Sequence, residues 1–260
     1  SSQPYDSVEK VAKLRGVELV LIDPPFGLGK HSVDGTGWDS TGNKWTGSHV
    51  VDVLRRASTA ELLPRSASDD KRPSHFAIAI YTQVQDVGTL QDAVHMWAES
   101  NDYPVGGWFT VTLGREGPAP LRKGTKTPGH SQTLLVVKLN DGQTGVVADD
   151  CGGGLGGRFL FSFPKPEVQS KYGRYEMDGL LQGDGGVVVN STQKSIEESR
   201  LIIRMLTPGG GPVLSVCNGT GTTQIAALLE GRRCVGIEED RQQNRVAVRR
   251  LETFYHMEGM

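Results

Sequence analysis

The sequence predicts an α/β fold, because short apolar runs typical of buried strands alternate with segments that carry helix-capping signals. The clearest case is a strand at 212–216, a glycine-rich turn, a helix to about Glu230 and a second strand at 234–237. A strand, a helix and a strand in that order form the unit from which parallel sheets are built. The 260 residues suit one large domain spanning 1–260.

The overall composition argues against several classes of protein. A formal net charge of -2 argues against nucleic-acid binding by bulk positive charge, although a local basic patch remains open. The three cysteines, Cys151, Cys217 and Cys234, have neither the number nor the spacing of a disulfide framework or a zinc site, so we expect an intracellular protein without a metal. No apolar run approaches the roughly 20 residues of a membrane span, so we expect no membrane association.

The first predicted strand, Leu19 to Asp23, ends in a carboxylate that is followed by two prolines and an aromatic residue. A short helix from Asp6 to about Arg15 is predicted before it. The prolines remove two backbone donors and hold the chain extended, so the Asp23 carboxylate and the Pro24 carbonyl can face one small group beside Phe26. Two acceptors next to a ring suit a flat group with an amino edge. The alternative is an exposed turn at the end of a strand.

Two long segments between the predicted elements are candidates for substrate recognition. The polar segment 27–48 is too long for a passive connector, so we expect a lid or substrate loop there. Residues 140–193 include a glycine-rich run at 151–157 and are expected to form a flexible insertion that can recognise the target. Further predicted elements are a helix at 49–56, a strand at 76–81, a helix capped at Thr89 and running to about Ala98, strands at 108–113 and 133–138, a helix opened by the capping box Ser195 to Glu198 and running to about Leu206, and a last helix from about Arg241 to Phe254.

The strands at 108–113 and 133–138 can pair as a hairpin with a basic tip. The connection between them carries Arg115, Arg122, Lys123 and Lys126. These side chains are candidates for contacts with an anionic substrate, and an ordinary solvated loop is the alternative.

The clearest ligand-binding signal follows the strand at 212–216, where the chain continues as Cys217-Asn218-Gly219-Thr220-Gly221-Thr222-Thr223. Glycines there allow a ligand to approach the backbone closely, the next helix offers unpaired N–H groups, and Glu238 after the second strand can accept a ribose diol. The loop lacks the third glycine of the dinucleotide fingerprint and no lysine follows it, which weighs against NAD and ATP. S-adenosylmethionine, which has a ribose and an adenine but no phosphates, fits what remains, and a purely structural turn is the alternative.

In this order the motifs resemble those of the beta-class amino-methyltransferases, DNA methyltransferases in which an Asp-Pro-Pro motif precedes the cofactor loop. The catalytic motif of that family is intact as Asp23-Pro24-Pro25-Phe26. Further stretches that carry the resemblance are Tyr5 to Val8, the pair Trp38-Asp39, the strand from His130 to Lys138, Thr192 to Ser195, Gly219 to Thr223 and Cys234 to Glu238.

The resemblance implies a Rossmann-like methyltransferase fold with a mostly parallel seven-stranded sheet, one antiparallel strand and a permuted motif order. That order would place the strand at 19–23 beside the strand at 212–216, so that Asp23 and Gly219 meet at the carboxyl edge of the sheet. One departure concerns the cofactor loop. Where the family usually has Asp-Pro-Phe-Ala-Gly-Ser-Gly, this chain has Ser215 to Gly221 without the carboxylate and the ring, so weaker cofactor binding is expected.

The activity that the resemblance implies is methyl transfer from S-adenosylmethionine to the exocyclic amine of a flipped base in DNA. Adenine N6 is the preferred target, because an aspartate rather than a serine opens the Pro-Pro motif. The catalytic residues implied are Asp23, Pro24, Pro25 and Phe26. Those implied for the cofactor are Asp6, Lys194, Ser215, Cys217, Asn218, Gly219, Thr220, Gly221, Thr222, Thr223 and Glu238. Those implied for the substrate are Trp38, Arg122, Lys123 and Lys126.

Three other functions remain open at this point. An RNA or cytosine-N4 methyltransferase would share the same motifs. A methyltransferase-fold protein that no longer catalyses, and acts as a binding or assembly subunit, is suggested by Ser215, Cys217 and Asn218. A dehydrogenase is disfavoured, because no residue set for hydride transfer accompanies the loop. A homodimer or a partner subunit would supply the positive surface that this chain lacks.

Overall fold

The computed structural model describes residues 14–25, 44–64, 75–115, 132–139, 158–163, 190 and 193–258. The strands are β1 (Leu19–Ile22), β2 (Phe76–Thr82), β3 (Val105–Arg115), β4 (Gln132–Leu139), β5 (Arg158–Phe163), β6 (Val213–Val216) and β7 (Cys234–Ile237). The helices are α1 (Gly47–Thr59), α2 (Val87–Glu99), α3 (Ile196–Leu206), α4 (Thr222–Leu229) and α5 (Arg241–Glu258). Among these helices none is both long and apolar enough to cross a membrane.

The strands form a seven-stranded sheet in the order β5-β3-β4-β2-β1-β6-β7. β4 runs antiparallel to β2 and to β3, whereas every other neighbouring pair is parallel. The mostly parallel sheet with one antiparallel strand, the permuted order and the β3–β4 hairpin are therefore confirmed. Within 140–193, where the sequence predicts a flexible insertion, Arg158–Phe163 form β5, which pairs with β3. A role of this insertion in target recognition stays a prediction.

The central strands are buried on both faces, as in other parallel sheets covered by helices. Leu19 and Leu21 of β1 belong to the core on the side of α3 and α4, while Val20 and Ile22 belong to the core on the side of α1 and α2. Since side chains alternate along a strand, Asp23 continues the row of Leu19 and Leu21 and belongs to the α3 side of the sheet.

Helix α3 begins as the capping box predicts, because the Ser195 Oγ accepts a hydrogen bond from the Glu198 N–H at 3.0 Å. The predicted cap of α2 at Thr89 was wrong. A 3₁₀ turn at Val84–Asp86 runs directly into the helix at Val87 and supplies its first turn without a side-chain cap.

Helix α1 is longer than the predicted helix at 49–56, and its first two residues, 47 and 48, belong to the predicted loop 27–48. It begins at Gly47 after Thr46, whose backbone N–H donates to the His49 Nδ1 at 3.1 Å. The histidine fills the place that glutamate has in an ordinary capping box, so the sequence pattern did not mark this start.

Several predicted segments lie outside the described residues. They are the predicted helix at 6–15 apart from residues 14 and 15, which are not helical, the loop 27–48 up to residue 43, the tip of the β3–β4 hairpin, and most of 140–193.

Candidate active site

The Asp-Pro-Pro motif (Asp23 to Pro25) and the glycine turn (Gly219 to Gly221) leave the sheet side by side. β1 pairs in parallel with β6, so that Ile22 lies opposite Val216. One residue on, the Asp23 backbone N–H donates to the Val216 carbonyl at 3.1 Å. Both segments therefore start at the carboxyl ends of neighbouring parallel strands, the edge at which open α/β sheets bind ligands.

A cleft lies at this edge of the sheet, between the Asp-Pro-Pro motif and the glycine turn. The predicted site residues that line the cleft are Asp23, Lys194, Ser215, Cys217, Asn218, Gly219, Thr220, Thr222 and Thr223. The predicted residues that lie outside the described part of the chain are Asp6, Phe26, Trp38, Arg122, Lys123 and Lys126.

The prolines of the Asp-Pro-Pro motif connect the cleft to helix α1. Pro24 is buried, and the Pro25 carbonyl accepts a hydrogen bond from the Trp45 backbone N–H at 3.3 Å. The Trp45 ring in turn stacks on His49, with the ring centroids 5.8 Å apart. The chain therefore returns at Trp45 to the backbone of Pro25, where the described part of the motif ends.

The carboxylate of Asp23 forms an ion pair with Lys194. The Lys194 Nζ lies 2.5 Å from the Asp23 Oδ2 and 4.4 Å from the centroid of the Tyr81 ring. The Lys194 side chain is only 6% exposed, whereas that of Asp23 is 29% exposed. Below this pair the Tyr81 hydroxyl donates to the Glu198 Oε1 at 2.7 Å. A buried cation is thus held between a carboxylate at the cleft and an aromatic ring in the core.

The glycine turn has a backbone that other residues would adopt only with strain. Gly219 and Gly221 have φ angles of +57° and +82°, in the left-handed region that favours glycine. A Cβ on Gly221 would lie 2.9 Å from the Cβ of Ala247, so the turn packs directly on α5. The glycines are therefore needed both for the conformation of the turn and for its contact with the helix behind it.

Arg250 of α5 holds the same turn through hydrogen bonds. Its side chain is buried, and Nη1 donates to the Thr220 carbonyl at 2.6 Å and to the Thr222 Oγ1 at 3.0 Å. The Thr220 hydroxyl also donates to the Gln193 Oε1 at 2.5 Å. The turn is thus tied to α5 on one side and, through Gln193, to the segment before α3 that carries Lys194.

Glu238, the acid that follows β7, closes the opposite side of the turn. Its Oε2 accepts the Gly219 N–H at 2.6 Å, and its Oε1 accepts the Asp240 N–H at 2.9 Å. Burial raises the pKa of this carboxyl above its usual range, and the two backbone donors oppose that rise. Each carboxylate oxygen has a further lone pair, so Glu238 can accept additional hydrogen bonds from a ligand.

Known proteins resemble this chain in sequence over a short segment and in structure over nearly the whole chain. No protein-family model matches the chain. The type II methyltransferase M.BglI from Bacillus subtilis is 41% identical over 54 residues, which are 21% of this chain and 16% of M.BglI. The match therefore spans about a sixth of the length of that relative.

Two solved structures superpose on nearly the whole chain. The M1.HpyAVI–SAM complex has a TM-score of 0.57 at 15% identity and covers 96% of both chains. The PvuII DNA methyltransferase, which is cytosine-N4-specific, has a TM-score of 0.56 at 14% identity and covers 96% of this chain and 88% of its own. The chain has the DNA methyltransferase fold. The fold class expected from the sequence is therefore confirmed.

Within this fold, the glycine turn is preceded by Asn218, where the family that the sequence resembles usually has alanine. The Asn218 Nδ2 donates to the Gln224 Oε1 at 2.7 Å, and a Cβ on Gly236 would lie 2.5 Å from the Asn218 Cγ. Gly236 of β7 thus leaves room for the larger side chain at 218. The asparagine is accommodated by its neighbours and leaves the path of the glycine turn intact.

Cys217 and Ser215 occupy the positions at which the resembled family motif has an aromatic ring and a carboxylate. Cys217 adopts a φ of +54°, a strained value for a residue with a side chain. Burial raises the pKa of its thiol, and the nearby carboxylates of Glu238 and Asp23 raise it further, so the thiol stays protonated. Ser215 is buried beside Leu21 and offers a neutral hydroxyl to the cleft.

Three polar residues that line this cleft were missed by the sequence analysis: Tyr81, Asn190 and Gln193. Tyr81 ends an apolar run, so it is indistinguishable from core until β2 is placed next to β1. Asn190 donates to the Gln243 Oε1 at 2.8 Å from within a segment whose sequence has no periodicity. The position of Gln193 next to Lys194, in a stretch that already resembled the family, was the signal available for it.

Proposed function

We propose that this protein is a DNA methyltransferase that transfers a methyl group from S-adenosylmethionine to the exocyclic amine of a base, with adenine N6 as its target. The observation that carries the proposal is that Asp23 and the glycine turn line one cleft. A carboxylate that can accept an amine and a turn that can hold a nucleoside are the two halves of such a site. Either half alone would be compatible with a structural role.

The cleft and the residues next to the glycine turn have donors and acceptors that fit this cofactor. Glu238 can accept the ribose hydroxyls while its carboxylate holds the Gly219 N–H. The N-terminus of α4, which begins at Thr222, offers backbone N–H groups to the carboxylate of the methionine end. Asp6 is proposed to contact the adenine edge. Ser215 replaces the family carboxylate by a hydroxyl, so we propose weaker cofactor binding than in relatives with an acid.

Asp23 and Pro24 would act on the target amine. The amine lone pair is delocalised into the base, and acceptors for both N–H bonds localise it on nitrogen. The Asp23 carboxylate and the Pro24 carbonyl are proposed as those acceptors, with Phe26 packed on the face of the flipped base. When bound, the cofactor would supply an electrophilic methyl group to the nitrogen whose lone pair Asp23 and Pro24 localise; the C–S electron pair would remain on sulfur and one amine proton would go to solvent.

The choice of adenine N6 over cytosine N4 rests on the aspartate that opens the Pro-Pro motif. The cytosine-N4-specific PvuII enzyme shares the fold, so the fold alone does not discriminate. Trp38 and the basic side chains of the hairpin tip (Arg122, Lys123 and Lys126) are proposed to contact DNA. Because the net charge is -2, a second copy or a partner subunit is proposed to add positive surface.

A non-catalytic binding subunit with the same fold is the second candidate. It is favoured by the missing carboxylate at Ser215 and by the strained Cys217 in the cofactor loop. A charged hydrogen bond contributes roughly 1.5–3 kcal/mol, so its loss could weaken cofactor binding by about ten- to a hundredfold.

Two measurements test the proposal. Isothermal titration of the protein with S-adenosylmethionine should give saturable binding, and absence of binding at millimolar cofactor would favour the non-catalytic subunit. Mass spectrometry of nucleosides after incubation with DNA or RNA should detect N6-methyladenine from DNA. N4-methylcytosine, or methylation of RNA alone, would overturn the target assignment while leaving the reaction class in place.

A further inference from the structure

The ion pair between Lys194 and Asp23 has a geometry that a cofactor contact does not require. We propose that Lys194 is a positioning residue for Asp23: it fixes one carboxylate oxygen so that the other is presented to the target amine. This inference rests on the proposed function and deepens it. It also gives Lys194 a different role from the cofactor contact that the sequence resemblance implies.

The topology brings four side chains to one face of the sheet. Asp23 follows β1 on the α3 side, and the pairing of Ile22 with Ile80 puts Tyr81 on the neighbouring strand beside it. Lys194 comes directly before the cap of α3, and Glu198 lies in the first turn of that helix. The segment that begins α3 therefore places a cation and its support directly over the end of β1.

Burial of the Lys194 ammonium restricts the orientation of the Asp23 carboxylate. An ammonium that is 6% exposed is costly unless it is paired. Within the described residues its contacts are the Asp23 carboxylate and the face of the Tyr81 ring, which attracts cations. Tyr81 is itself fixed by the 2.7 Å hydrogen bond from its hydroxyl to Glu198. Rotation of the Asp23 carboxylate would leave the buried cation without its anion, so the carboxylate is held in one orientation.

The two oxygens of Asp23 have different surroundings. Oδ2 accepts from the Lys194 Nζ, whereas Oδ1 receives no hydrogen bond from the residues that the structure describes. Asp23 lines the cleft together with the glycine turn. Oδ1 is therefore the acceptor for an amine N–H, and its position is set by the bond on Oδ2. Small displacements of such a group can lower a rate by about a hundredfold, so the contribution of Lys194 should affect the chemical step.

The test compares substitutions of Lys194 with a matched control. Lys194→Met keeps the length of the side chain and removes the charge, and Lys194→Arg keeps the charge. Lys138→Met is the control, because the Lys138 Nζ also lies over an aromatic ring, Phe109, at the opposite end of the sheet. We measure single-turnover methyl transfer to DNA, the Kd for S-adenosylmethionine by calorimetry, and thermal unfolding.

Lys194→Met should lower the single-turnover rate at least about tenfold and change the cofactor Kd by less than about threefold. Lys194→Arg should retain more of the rate than Lys194→Met, and Lys138→Met should leave the rate unchanged. A rise in Kd that accounts for the loss of rate would instead make Lys194 a cofactor-binding residue. An unchanged rate in Lys194→Met would also overturn the inference.

The single variant Tyr81→Phe keeps the inference testable if Lys194→Met fails to fold. Tyr81→Phe retains the ring and removes the hydroxyl bond to Glu198, so it should lower the rate by a smaller factor than Lys194→Met. Where Lys194→Met folds, adding Tyr81→Phe to it should lower the rate by less than about a further twofold, because Tyr81 acts through Lys194. The inference would be overturned if the rate losses of the two substitutions multiplied in the double variant, or if Tyr81→Phe transferred methyl groups as fast as wild type. A wild-type protein that neither binds the cofactor nor transfers methyl groups would overturn the proposed function, and this inference with it.

Discussion

Gly219 donates its backbone N–H to the Glu238 carboxylate at 2.6 Å, so the glycine turn and the acid at the end of β7 form one unit. Glu238→Gln keeps the size of the side chain but removes its charge and replaces one acceptor oxygen by a donor. We predict that the Kd for S-adenosylmethionine rises about tenfold, as expected for the loss of a hydrogen bond to a charged group. Calorimetry measures the change. Glu239→Gln, an exposed neighbour, is the control and should bind as wild type does.

The raised pKa of Glu238 predicts two opposite dependences on pH. Burial, the main cause, moves protonation of this carboxyl to a pH above that of an ordinary glutamate, whose pKa is about 4.3. Because the ionised form accepts the ribose hydroxyls, cofactor affinity should fall as the pH is lowered through the raised pKa. The contribution of the same group to folding stability is present below the unfolded pKa and is lost as the pH rises through the folded pKa.

Both trends should be weaker in Glu238→Gln than in wild type. Titration calorimetry and urea unfolding between about pH 4 and pH 8 measure them on the same protein samples. Cofactor affinity in wild type that is independent of pH over this interval would contradict the role of Glu238.

Asp23→Ala should abolish methyl transfer while the protein remains folded and binds the cofactor. The substitution removes the acceptor for the amine and leaves the Lys194 ammonium without its anion, so we also expect a loss of about 3 kcal/mol in the free energy of unfolding. Asp23→Asn, which keeps one oxygen, separates the two effects, because it should be nearly as inactive but less destabilised. Circular dichroism and methyl incorporation provide the measurements, and substantial activity in Asp23→Ala would contradict the assignment.

Gly221→Ala is predicted to be more destabilising than an equivalent change elsewhere. The φ of +82° costs an L-residue roughly 1–2 kcal/mol, and the new methyl group would also meet the Ala247 Cβ at 2.9 Å. Gly231→Ala is the matched control, because its φ is +69° but the added methyl group would have no atom of a non-neighbouring residue within 4 Å. Urea unfolding should give a larger loss for Gly221→Ala, and equal losses would show that the contact with α5 contributes nothing.

Arg250→Met is predicted to destabilise the glycine turn, which packs on α5. The side chain is 1% exposed and donates to the Thr220 carbonyl and to the Thr222 hydroxyl. Loss of hydrogen bonds from a charged donor predicts a decrease of about 2–4 kcal/mol in the free energy of unfolding. Thr222→Val removes one of the acceptors alone and should cost less than half as much. Thermal unfolding measures both, and a stability of Arg250→Met equal to wild type would contradict the role of the guanidinium.

The two halves of the cleft could be predicted because each is marked by local chemistry. Asp23 follows an apolar run and precedes prolines, and the turn at Gly219 lies between a strand and a helix. Each pattern depends on a few consecutive residues, so it can be recognised without knowledge of the tertiary structure. The adjacency of β1 and β6 came from the resemblance and was then found in the sheet.

The features that were missed depend on contacts between distant segments. Tyr81 contacts Lys194 only because β2 and α3 meet on one face of the sheet. The start of α2 at Val87 depends on a preceding 3₁₀ turn, and no side-chain cap marks this start in the sequence. β5 is stabilised by its pairing with β3, and in the sequence it lies between a glycine-rich run and two prolines. Local propensity is a weak guide wherever pairing or packing decides the outcome.

The neighbouring strands β1 and β6 come from opposite parts of the chain, and this order bears on synthesis at the ribosome. β1 is translated before β6, so one of its two hydrogen-bonding edges stays open until β6 has been translated. Pairings between residues so distant in sequence form slowly, and an apolar strand with an open edge invites association with other nascent chains. A ribosome-bound intermediate that ends before β6 would therefore be a natural client for chaperones, and it would acquire its ligand pocket only after β6 and the glycine turn have been translated.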